Sequence, residues 1–108
     1  MERFPIAMVE TVQAMISFQR TANGIEADAG FRITDLDETH IRYIAPSLRL
    51  TLQVKRISNR EIQVQLKDLQ QWDPPDTAEA LTEHDKRRLK VFLTAAYNSV
   101  DIIALFDV

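Results

Sequence analysis

Between Leu48 and Val54 apolar and polar residues alternate without a break, with Leu48, Leu50, Leu52 and Val54 on one side and Arg49, Thr51 and Gln53 on the other. A period of two predicts a strand over residues 47–57 with one buried and one wet face. After a polar turn at residues 58–60 the alternation returns in Ile62, Val64 and Leu66, which predicts a second strand over residues 61–69. Two such strands joined by three polar residues form a hairpin, and this alternation belongs to an antiparallel sheet with one solvated face. Upstream, "GFRITDLDETHIRYIA" predicts a strand around residues 31–33, a turn at 35–38 and a strand at 40–45.

The period then changes. Pro74 and Pro75 cannot donate to a ladder, so the sheet must end before them, and Trp72 is placed to pack at its edge or under the next element. Thr82 is a helix N-cap with Asp85 three positions on, and Leu89, Phe92, Leu93 and Ala96 recur at i, i+3, i+4 and i+7. These features predict an amphipathic helix that ends at residues 97–99, with a last strand in "VDIIALFDV". Residues 5–20 read in two ways. At helical spacing Met8, Val9, Val12, Met15 and Ile16 share a face; at strand spacing Val12, Ala14, Ile16 and Phe18 alternate with polar residues. Ala, Met, Glu and Gln favour the helix. "TANG" at residues 21–24 is a turn signal, Gly24 being suited to positive φ.

The expected fold is therefore α+β: one domain over residues 1–108, with an antiparallel sheet of about four to five strands, an N-terminal helix, and a C-terminal amphipathic helix packed on one face. A chain of 108 residues, 45% hydrophobic and 27% charged, is long enough for one core. Cysteine is absent, which excludes disulfides, thiolate metal sites and a cysteine nucleophile. No run reaches the roughly 18 to 20 apolar residues of a membrane helix. Glu2 and Glu10 around a short apolar patch are unlike a secretory signal, so the cytoplasm is the expected compartment.

Catalytic signatures are sparse. His40 and His84 stand at no zinc-ligand spacing, and two glycines are too few for a dinucleotide or phosphate loop. Asp35, Asp37 and Glu38 read as a solvated turn, and Arg87, Arg88 and Lys90 as a wet helix face rather than a nucleic-acid surface. No catalytic residue, cofactor or metal is expected. The charge of −3 is unevenly spread: residues 68–85 hold six acids and no Lys or Arg. An acidic segment beside an aromatic anchor makes a docking surface for a basic protein, with Asp68, Trp72, Asp73, Asp76, Glu79 and Glu83 as candidate partner-binding residues.

Residues 40–108 resemble small α+β immunity proteins of bacterial polymorphic-toxin and contact-dependent inhibition systems. Trp72, Pro74, the Thr82 cap and the Leu89, Phe92 and Leu93 stripe carry the resemblance. It implies inhibition of a cognate toxin by binding, with Trp72 chiefly structural and Asp73, Asp76 and Glu79 as contacts to a basic toxin such as a nuclease. A different class remains open: a small adaptor or secretion chaperone, dimerising through a strand edge at residues 40–45 or 100–108.

Overall fold

The computed structural model describes residues 16–74 and 80–107. Its strands are β1 (Phe18–Thr21), β2 (Gly24–Ala27), β3 (Arg32–Asp35), β4 (His40–Ile44), β5 (Arg49–Ser58), β6 (Glu61–Gln65) and β7 (Ile103–Phe106). A single 3-10 turn, Asp28–Gly30, separates β2 from β3, and helix α1 (Glu83–Asn98) separates β6 from β7. The strands lie in chain order in one seven-stranded sheet, a half-barrel whose concave face holds α1.

Register explains the core. Ile25, Ile33, Tyr43 and Leu50 fall in one row across β2 to β5, and Val54, Val64 and Phe106 in another across β5 to β7. All are buried, because alternate residues on adjacent strands point to the same face. Onto these rows α1 lays Leu89, Leu93, Ala96 and Tyr97. Its start is secured by a reciprocal capping box: the Asp85 N–H donates to Thr82 Oγ1 at 3.1 Å and the Thr82 N–H to Asp85 Oδ2 at 3.0 Å. Among the described residues no helix is long and apolar enough to cross a membrane.

Several expectations are corrected. The sheet has seven strands rather than four or five, because β1 and β2 form a further hairpin that the helical reading of residues 5–20 concealed. Phe18–Thr21 is strand where the helix over residues 5–20 was expected, and residues 5–15 of that helix lie outside the described residues. Nor is the sheet wholly antiparallel: β7 pairs parallel to β6. The chain between them contains a helix of 16 residues, long enough to carry it back to the start of β6, as a parallel pairing requires. Strand β6 stops at Gln65, short of residue 69, since the Asp107 carboxylate takes the Leu66 and Lys67 N–H groups at 2.8 and 3.0 Å. Finally, β4 is hydrogen-bonded to β3 and β5, so residues 40–45 offer no free edge for a dimer, whereas β7 is an outer strand of the described sheet.

The β1–β2 hairpin depends on one glycine. Thr21 pairs with Gly24 across the two-residue turn Ala22 and Asn23, and Gly24 has φ 151°. A Cβ at Gly24 would run into the Ile33 carbonyl oxygen of the neighbouring strand. Gly24→Ala is accordingly expected to cost more than about 1 kcal/mol and lower the midpoint of thermal unfolding by several degrees. A melting curve superimposable on that of the parent would refute this account of the hairpin.

Candidate functional site

The acidic segment follows the end of β6, and its first half is built into the fold. Strand β5 begins at Arg49 but β6 reaches only to the partner of Gln53, which leaves the first residues of β5 without a strand on that side. Asp73 takes that place. Its N–H donates to the Arg49 carbonyl at 2.9 Å, its Oδ1 accepts from the Thr51 N–H at 3.0 Å, and its Oδ2 accepts from the Thr51 hydroxyl at 2.6 Å. Arg42 Nε lies 3.7 Å from the same Oδ2. One carboxylate thus substitutes for a missing strand and is balanced by a guanidinium.

Trp72, 6% exposed, faces the opposite way into the core beside Tyr43, with ring centroids 6.5 Å apart. The stem of the following loop is closed by a bridge between Gln71 and Ala80 and by the Leu81 N–H on the Gln70 carbonyl at 2.8 Å. Asp68 and Glu83 are exposed along a shallow crevice that also presents Lys67 and Lys86. The nearly buried Lys86 ammonium donates to the Lys67 carbonyl at 2.7 Å and sits 3.7 Å from Glu83 Oε1. Asp76 and Glu79 lie outside the described residues. Of the six nominated positions, the structure brings Asp68 and Glu83 to one surface, buries Trp72 in the core and engages Asp73 along the edge of β5.

The turn acids are likewise engaged. Asp35 pairs with Arg56 at 3.2 Å. Asp37 accepts from the Thr39 N–H at 2.8 Å and from its hydroxyl at 3.0 Å, with His40 Nδ1 at 3.1 Å. Those bonds, the Thr39 amide foremost, hold the Asp37 carboxyl down at about 2. Among the described residues no group of three or more His, Asp or Glu side chains is placed to hold a metal ion.

A different feature lies at the start of α1. Where α1 begins, the β4–β5 turn and the residue after the 3-10 turn stand off from the helix, leaving an open groove of about 620 Å³. Phe31, Tyr43, Leu48, Trp72, Leu89 and Phe92 line it. Phe92 is the hub of its aromatic wall, with ring centroids 5.7 Å from Phe31, 5.4 Å from Tyr43 and 5.6 Å from Phe18. Such contacts fix the rings in edge-on and tilted arrangements and preform the cavity. On the helix side His84, Arg87 and Arg88 are exposed at the lip. Asp85, the acid among them, is committed to the cap.

The sequence reading assigned Leu89 and Phe92 to the stripe that packs on the sheet, and Arg87 and Arg88 to solvent. No short-range pattern links Phe31 and Tyr43 to that helix, because the groove joins segments some 60 residues apart. No family model, curated protein or solved structure matches the chain.

Two measurements check this description. Asp73→Ala is expected to destabilise by about 1–3 kcal/mol, because the Thr51 amide and hydroxyl lose their acceptor, while Glu83→Ala at an exposed site stays within about 0.5 kcal/mol. Equal melting temperatures for the two variants would return Asp73 to the surface. The second uses the chain's two tyrosines. Burial pushes the Tyr43 hydroxyl up to about 12, with Arg88 opposing, and burial and the Asp35 carboxylate push Tyr97 up as well, with Arg56 opposing. The Tyr97 hydroxyl has no hydrogen-bond partner among the described residues. A folded-state value above the unfolded one of about 10 means that this stabilisation is complete below pH ~10 and is lost as pH rises through ~12. Tyrosinate absorbance should therefore stay absent at pH 10 and appear only together with alkaline unfolding; half-ionisation near 10 in the folded protein would contradict the burial.

Proposed function

We propose that this chain is a cytoplasmic immunity protein that binds and neutralises a cognate bacterial toxin domain, acting by coverage rather than by chemistry of its own. The observation that carries the reading is the preformed groove, an apolar concavity with aromatic walls beside a polar lip. Anchoring residues of protein partners seek sites of this form, where a few side chains are fully desolvated inside a polar ring. The resemblance of residues 40–108 to immunity proteins supplies the class of partner.

We place the contact surface at the groove rather than on the acidic segment. With Asp73 balanced by Arg42 and Thr51, and Glu83 beside Lys86, the acidic segment carries less free charge than its composition implies. The groove, in contrast, keeps apolar area in reach of solvent at Phe31, Leu48 and Phe92, none of which is fully buried. In this reading the groove is the principal contact, and Asp68 and Glu83 line a separate crevice outside it.

The test is reconstitution with a catalytically inactive form of the toxin domain encoded immediately upstream. A one-to-one complex is expected by light scattering, and Leu48→Asp should weaken it at least about 10-fold by calorimetry. Joint Asp68→Lys and Glu83→Lys reversal should change affinity less than threefold. Absence of any complex would overturn the reading, and a complex lost only on acid reversal would place the contact back on the acidic segment.

A further inference from the structure

The helix side of the groove's lip is rich in cations. Arg87 and Arg88 are exposed and enter no ion pair among the described residues, and His84 stands one turn before them. The Asp85 carboxylate, the only acid lining the groove among the described residues, is engaged by the Thr82 amide. Arg88 is close enough to Tyr43 for its charge to act on the phenol, so the cationic lip reaches the apolar wall. The flexible arms of both arginines can follow an occupant, while the aromatic walls beneath them cannot move without breaking the Phe92 contacts.

We infer that the groove receives an acidic amphipathic segment of the partner protein, with its aliphatic or aromatic side chains against Phe31, Leu48 and Phe92 and its carboxylates on Arg87 and Arg88. This rests on the immunity reading and specifies the chemistry of its contact. The floor demands apolar groups and the lip demands negative charge. A segment with apolar residues on one helical face and carboxylates on the other offers both at once. An anionic lipid surface fits less well, because the large hydrophobics that stand out from the fold, Leu36 and Ile57, belong to the β3–β4 turn and to β5 and line no part of the groove. Nucleic acid is disfavoured by the walls: Tyr43 and Trp72, 8% and 6% exposed, leave bases little ring surface to stack on.

The chain's only tryptophan, Trp72, lines the groove and reports on its occupancy. The probe is the peptide Glu-Leu-Glu-Glu-Phe-Leu-Glu-Glu-Leu, acetylated and amidated, with a counterpart carrying Lys for every Glu. Saturable change in Trp72 emission is expected with the Glu peptide, at least tenfold tighter than with the Lys peptide and weakening with salt. Joint Arg87→Glu and Arg88→Glu reversal should invert that preference. These acids enter the N-terminal half of α1, where the helix dipole tolerates them, so the variant should melt within a few degrees of the parent. Equal affinity for both peptides, no inversion, or tighter binding of oligothymidylate or phosphatidylglycerol vesicles would overturn the inference. A toxin complex that forms while the Glu peptide is ignored discards this ligand chemistry and keeps the immunity reading; peptide binding without a toxin complex does the reverse.

Discussion

Helix α1 must bury one stripe in the concave face of a sheet that is curved around it. Leu89 and Leu93, 3% and 0% exposed, each contribute on the order of 1.5–3 kcal/mol by leaving water. From this docking come the other main features. The chain must cross from β6 to β7 over the concave face, so β7 arrives parallel to β6 and closes one side of the core with Ala104 and Phe106. Small side chains at Ala96 and Ala104 let the helix lie close to that strand. At the other end α1 stands clear of the β4–β5 turn, and the space left there is the groove.

The junction between β6 and α1 shows how one short segment meets two opposite demands. Trp72 must go inward, because the helix start leaves a large apolar gap beside Tyr43. Asp73 must go outward, because the first residues of β5 have polar backbone groups and no strand beside them. An unpaired amide there would cost about as much as a lost hydrogen bond, and the carboxylate removes that cost. Pro74 then directs the chain off the sheet. A Trp-Asp-Pro sequence at such a place is explained by packing and backbone satisfaction, so its acid need not signal recognition.

Charge in this protein is sorted by geometry more than by composition. The acids counted between residues 68 and 85 include one locked under Arg42 and one capping a helix. Arg87 and Arg88, read from the sequence as solvent-facing, stand beside an accessible apolar groove. An electrostatic argument made on net charge alone therefore overstates the charge left free on the acidic segment, since carboxylates with an internal counterpart are partly compensated within the fold.

Local signals decided much of this fold. The alternation in β4, β5 and β6, the turn between β5 and β6, the Thr82 capping box and the Leu89, Phe92 and Leu93 stripe were all legible, because each depends on residues within a few positions of one another. Strands β1 and β2 were not, being four residues each and carrying little apolar signal of their own; they exist because Gly24 permits a tight turn and β3 offers an edge. The parallel pairing of β7, the service of Asp73 as a strand substitute, and the groove that joins Phe31 and Tyr43 to Phe92 also needed the folded chain. These depend on contacts between residues 20 to 60 positions apart. Periodicity along a sequence records which face of an element is buried; only tertiary packing determines what that face meets, and which polar groups are left over to act.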